Sequence, residues 1–136
     1  MKQTLALLFL LTLMVGCKKD KDEPTNSSQY EQLVDGTWYL QSVDGVEVTA
    51  CEKKNSIKFR TDGSLFGQSY GAGNGSCDDP NFTIDGAYTV EGNQISINLG
   101  LVKGEGTYSI SNGILSTEIT SSGETTATKY DRNPGI

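Results

Sequence analysis

The sequence of 136 residues contains no histidine. Catalytic triads that depend on histidine, and metal sites built on imidazole, are therefore excluded. The glycine-rich stretch 71–75 resembles a phosphate loop only in composition, because Cys77 and Pro80 follow it without a lysine or a helical pattern. The sequence thus predicts a protein that is not an enzyme and that carries no cofactor.

Basic residues are scarce. The chain has 11 Lys and Arg against 17 Asp and Glu, which gives a net charge of −6. A surface of this sign repels phosphate backbones and is a poor match to anionic membrane surfaces, so we expect no nucleic-acid partner. An acidic surface would favour binding to a basic protein partner through charge complementarity.

Long apolar runs are also absent. The apolar stretch 5–15 is too short to cross a membrane, which takes about 20 residues. With Lys2 before it, this stretch is typical of a secretory signal. An ordinary signal would end in small residues, whereas this one ends at Cys17, and residues 18–23 are all charged.

Residues 14–17 resemble the lipobox of bacterial lipoproteins, with Met14 where leucine is commoner. The resemblance implies that residues 1–16 are removed and that Cys17 is lipidated and anchors the protein to the outer membrane. Stable anchoring takes more than one acyl chain. The charged run 18–23 resembles the export signal of lipoproteins displayed on the cell surface. An ordinary signal with a chance cysteine, and the periplasmic face of the membrane, are the alternatives.

Only three cysteines are present. If Cys17 is lipidated, Cys51 and Cys77 form an even pair in an oxidising compartment, which predicts a disulfide. A metal site on the pair would lack a histidine or a third thiolate, so we expect no metal. Asp78 and Asp79 are adjacent acids in a loop, where a calcium site would need further oxygen ligands.

From Gly36 onward, short alternating runs are separated by glycine-containing turns such as Asp44-Gly45 and Asn112-Gly113. This pattern predicts an all-β fold, an eight-stranded antiparallel up-and-down barrel that closes on itself. The expected strands are 38–43, 56–60, 65–70, 82–90, 94–99, 105–111, 114–120 and 125–131. The barrel is expected to span residues 33–132. Before it, residues 17–32 are predicted to be the lipidated cysteine and a flexible polar tether, in which one helical turn is possible from Ser28 to Leu33. Residues 133–136 form a tail.

Gly36-Thr37-Trp38 in the first strand and Arg132 after the last resemble the lipocalin signature. In that family the tryptophan closes one end of the barrel and the arginine packs across its ring. The closer resemblance is to the lipocalin-like domain of small bacterial lipoproteins and covers about residues 33–132. The second lipocalin motif, Thr-Asp-Tyr, is absent, so the chain is lipocalin-like and not a lipocalin proper.

This resemblance implies that a small apolar or amphipathic ligand binds inside the barrel. We expect the protein to be a monomer. The residues expected to face inward and contact it are Leu40, Phe59, Tyr88, Ile97, Tyr108 and Tyr130, with Ile57, Ile95 and Ile110 beside them. Eight short strands can instead fill their interior with side chains. The protein would then be a surface interaction module, such as a lysozyme or protease inhibitor, that uses the loop 71–80.

Overall fold

The computed structural model describes residues 24–71 and 77–134. Helix α1 spans Pro24–Val34, and a 3₁₀ turn spans Glu52–Lys54. Nine strands follow the helix: β1 Trp38–Val43, β2 Val46–Glu47, β3 Ser56–Phe59, β4 Ser64–Ser69, β5 Phe82–Glu91, β6 Gln94–Asn98, β7 Lys103–Ser111, β8 Ile114–Ser121 and β9 Glu124–Asp131. Across the described residues, no helix has the length and apolarity that a membrane crossing requires. The predicted signal and Cys17 lie outside the described residues.

The strands close into a barrel. Each strand from β3 to β8 pairs antiparallel with the next along the chain, and β1 pairs with both β3 and β9. The predicted eight-stranded up-and-down barrel is therefore confirmed. The two residues of β2 were not predicted; they pair with the end of β1 and stay outside the closed ring.

Tight turns set the register, as the sequence predicted. Asp44 and Asn112 adopt φ of 48° and 53°, and the glycines that follow them adopt 82° and 76°. Two successive positive φ values match the right-handed twist of the adjoining strands. Successive side chains of a strand point to opposite faces, so the register that the Asn112-Gly113 turn sets between β7 and β8 decides which of their residues face the interior.

The predicted flexible tether to Gln32 needs correction, because residues 24–34 are helical in the structure. Pro24 is the first helical residue, where its missing N–H costs nothing. Leu33 is fully buried, and its carbonyl accepts a hydrogen bond from the Trp38 indole N–H at 2.9 Å. Packing of Tyr30, Leu33 and Val34 against the barrel stabilises α1, so the helix forms although its sequence lacks a clear apolar stripe.

The hydrophobic core occupies the end of the barrel where β1 begins and β9 finishes. Phe59 and Tyr88 meet edge to face there, with ring centroids 5.0 Å apart. The Tyr88 hydroxyl donates to the carbonyl of Arg60 at 2.6 Å, and burial raises the pKa of this phenol. The buried apolar residues are Leu33, Trp38, Phe59, Leu65, Tyr88, Ile95, Tyr108, Ile110 and Leu115. We call this end the closed end.

Candidate functional site

Trp38 and Arg132 close the barrel together with α1. Trp38 is 1% exposed, and the guanidinium carbon of Arg132 lies 3.5 Å from the centroid of its ring. Arg132 also donates to the carbonyls of Gln32 at 2.5 Å and Thr37 at 3.4 Å. The cation therefore joins the indole face to the end of the helix. The resemblance implied that the arginine packs across the ring, but not its bonds to the end of α1.

Gly36 makes this contact possible. Its φ is +89°, which side chains rarely tolerate, and a Cβ atom there would lie 3.3 Å from the Arg132 Nη1 atom. The Gly36-Thr37-Trp38 motif thus combines a left-handed turn out of α1 with room for the arginine.

A cavity of about 330 Å³ lies toward the opposite end of the barrel. A second pocket of about 180 Å³ shares part of its lining, namely Ile57, Ile97, Ile119 and Tyr130. We call the first the outer cavity and the second the inner pocket. The outer cavity is lined by Leu40, Asn55, Ser56, Ile57, Leu65, Gly67, Gln68, Ser69, Ile84, Ile97, Leu99, Val102, Gly104, Ile119, Ser121 and Tyr130. Its lining is mainly apolar, which is typical of pockets for small organic ligands.

The structure divides the residues predicted to contact a ligand into two groups. Leu40, Ile97 and Tyr130 line the outer cavity, and Phe59 lines the inner pocket. Tyr88 and Tyr108 line neither of them; together with Ile95 and Ile110 they belong to the core of the closed end. Alternation along a strand shows which face a side chain takes but not its depth in the barrel, so the sequence could not separate the two groups.

Several cavity residues were missed by the sequence analysis. Ile84 faces the cavity from β5, and its alternation with the exposed Thr83 and Asp85 was a signal that could have identified it. Leu99 follows β6, which ends one residue earlier than the predicted strand 94–99, and its alternation with Ile97 could have identified it. Val102 lies in the loop between β6 and β7, where no strand pattern applies. Ile119 on β8 also shares the inward face.

The polar atoms of the inner pocket are hydroxyls. Thr117, Thr126, Thr128 and Tyr130 line it beside isoleucines and Phe59. The Oγ1 atoms of Thr117 and Thr128 are 2.6 Å apart and share a hydrogen bond. Burial raises the pKa of Tyr130, and a hydrogen bond with Thr128 partly opposes that rise. The phenol is therefore neutral throughout the physiological range.

A disulfide connects two segments at the mouth of the outer cavity. Cys51 and Cys77 are bonded, with Cα atoms 5.6 Å apart, so the predicted pairing is confirmed. The Lys54 ammonium donates to the carbonyl of Cys77 at 2.7 Å. The side chain of Asn55 accepts a hydrogen bond from the backbone N–H of Tyr70. These contacts hold the start of β3 and the end of β4 together where both border the cavity.

The described residues contain no group of three or more acidic or cysteine side chains placed to hold a metal ion. The loop 71–80, predicted as a surface for protein contacts, lies partly outside the described residues, since 72–76 are not included.

Comparison with known proteins identifies the architecture. A family model described as a lipocalin-like domain matches residues 34–104, just over half of the chain. Among solved structures, the chain is similar to a DUF4847 family protein from Bacteroides vulgatus ATCC 8482, with 16% identity and a TM-score of 0.50. The match covers 78% of this chain and 98% of that one, and at this identity it shows the fold alone. No curated protein matches the chain.

Proposed function

Because the chain belongs to the lipocalin-like domain family, a generally non-enzymatic group with a ligand-binding type of barrel, we propose that it binds a small apolar or amphipathic molecule inside its barrel. The observation that carries this proposal is the outer cavity. Its 330 Å³ falls in the range of about 300–1,000 Å³ usual for small-molecule sites. A filled barrel, the alternative reading, would leave no such space among the apolar side chains.

A bulky side chain in the cavity should abolish binding. N-phenyl-1-naphthylamine, an uncharged dye that fluoresces in apolar surroundings, serves as the probe. We expect the unaltered protein to bind it, and Ile84→Trp to weaken binding by about tenfold or more, because the indole would occupy the space of the ligand. Fluorescence titration of the purified proteins gives both dissociation constants.

Thr83→Trp is the matched control, since it adds the same side chain one residue away on the exposed face of β5. Its affinity for the dye should stay within about twofold of the unaltered protein. Failure of the unaltered protein to bind the dye would contradict the proposal and favour a role in protein interaction. Equal loss in both variants would show that the effect is not confined to the cavity.

We also propose that Cys17 is lipidated and anchors the barrel to the outer membrane, with the barrel displayed on the cell surface. The support is the sequence of residues 14–23, an apolar segment that ends at a cysteine before six charged residues. In cells grown with an alkyne-labelled fatty acid, the unaltered protein should incorporate the label and stay with the membranes. Cys17→Ala should lose both properties.

The double variant Cys51→Ala with Cys77→Ala is the control, because these two cysteines are bonded to each other in the structure. It should keep the label. Digestion of intact cells by an added protease tests which side of the membrane the barrel faces: protection would place it on the periplasmic side. Label that persists in Cys17→Ala would rule out this anchor.

A further inference from the structure

Four hydroxyl-bearing residues face the inner pocket from neighbouring strands. Thr117 on β8 pairs directly with Thr128 on β9, and Thr126 and Tyr130 lie two residues to either side of Thr128. Side chains two residues apart on a strand share a face, so the four groups form one polar patch inside the barrel. Thr117 is 8% exposed, and apart from Trp38 and two tyrosines it is the one buried side chain with a polar atom among the described residues. We call these four residues the hydroxyl patch.

The hydroxyl patch retains capacity for further hydrogen bonds. Each hydroxyl carries one donor and two acceptor sites. The Thr117–Thr128 bond uses one donor and one acceptor, and the hydrogen bond between Thr128 and Tyr130 uses one more of each. The side chain of Thr126 makes no hydrogen bond within residues 24–71 and 77–134. Valine would fit the same strand positions without any polar group to satisfy. A ligand with a hydroxyl or carbonyl group could complete these bonds.

No charged side chain lines either the outer cavity or the inner pocket in the described part of the barrel. A carboxylate or ammonium group that entered would lose its hydration without meeting an opposite charge, and that loss is costly. A neutral polar group loses less hydration free energy on burial. The hydroxyl patch would replace the hydrogen bonds that this group makes to water.

We propose that the ligand is an amphiphile whose buried polar group is uncharged, and that this group binds the hydroxyl patch while the apolar body fills the outer cavity. This inference rests on the proposed function and names its ligand class. Thr117, Thr126, Thr128 and Tyr130 are the residues that determine the specificity.

Two probes with the same ten-carbon chain test the charge preference. 1-Decanol and decanoate compete with N-phenyl-1-naphthylamine for the purified protein at a pH where decanoate is ionised. We expect decanol to displace the dye at least about tenfold more effectively than decanoate, because only the alcohol can enter the inner pocket without a buried charge. For each protein variant, the affinity of the competitor is calculated from the displacement with the dye affinity measured for that same variant.

Two pairs of threonines, each with one residue on β8 and one on β9, test whether the ligand binds the hydroxyl patch. Thr117→Val with Thr128→Val removes the inner pair and should weaken decanol about five- to tenfold. Thr120→Val with Thr125→Val removes a similar hydroxyl pair, 2.5 Å apart, from the exposed face and should leave decanol binding unchanged. Unfolding midpoints confirm that both variants fold.

The outcomes separate this inference from the proposed function. Dye binding with equal displacement by decanol and decanoate would overturn the neutral-ligand inference and leave the binding function standing. Unchanged decanol affinity in the inner-pair variant would overturn the role of the hydroxyl patch. If neither the dye nor decanol binds, the proposed function fails and the inference fails with it.

Discussion

Replacing Trp38 with alanine should lower the free energy of unfolding by about 3–5 kcal/mol, the range found when large aromatic side chains are removed from cores. Three interactions disappear together. The ring is 1% exposed, its N–H bonds the Leu33 carbonyl, and its face supports the guanidinium of Arg132. The loss would leave a cavity at the closed end and would release α1 from the barrel.

Chemical denaturation followed by circular dichroism measures this loss. Val46→Ala is the control: Val46 is 69% exposed on β2, and its truncation should change stability by no more than about 0.5 kcal/mol. Arg132→Met, which keeps much of the packing but removes the charge, should cost less than Trp38→Ala. A loss below about 1 kcal/mol for Trp38→Ala would mean that the closed end does not depend on the indole.

Loss of the Cys51–Cys77 disulfide should destabilise the protein by about 3–4 kcal/mol, on the model in which the bond restricts the unfolded chain. The bond spans 26 residues of sequence. Those residues include β3 and β4, which form one wall of the outer cavity. The double variant Cys51→Ser with Cys77→Ser should therefore unfold at a clearly lower denaturant concentration than the oxidised protein.

Reduction provides an internal check on this result. A thiol reductant should lower the midpoint of the unaltered protein toward that of the double variant, and it should leave the double variant unchanged. If the oxidised protein and the double variant unfold at the same midpoint, the restriction of the unfolded chain is not a source of stability here.

Local patterns in the sequence were sufficient to predict most of the barrel. Asp44-Gly45 and Asn112-Gly113 identify tight hairpins because few other residues accept positive φ. Alternation then assigns the faces of the strands between them. The contact of Trp38 with Arg132 was available only through resemblance, since 94 positions of sequence separate the pair.

Features that depend on tertiary packing were not predictable in this way. α1 is stabilised by burial of Leu33, which a search for an apolar helical stripe does not detect. The depth of Tyr108 compared with Tyr130 depends on the tilt and stagger of the strands, which alternation does not encode. The hydroxyl patch was not predicted, because threonine is common in strands and carries no signal by itself. Only the pairing of Thr117 with Thr128 places their hydroxyls together inside the barrel.

The position of α1 has a consequence for the route by which the proposed ligand would reach the barrel. The helix packs at the closed end, where Gln32 and Leu33 contact Arg132 and Trp38. If Cys17 is the anchor, the seven residues 17–23 can reach at most about 25 Å from it to Pro24. The connection to the bilayer would then run through the closed end, and the mouth of the outer cavity lies at the opposite end of the barrel. If the barrel extends away from the bilayer on this connection, the proposed ligand would enter from the surrounding water or from a donor protein.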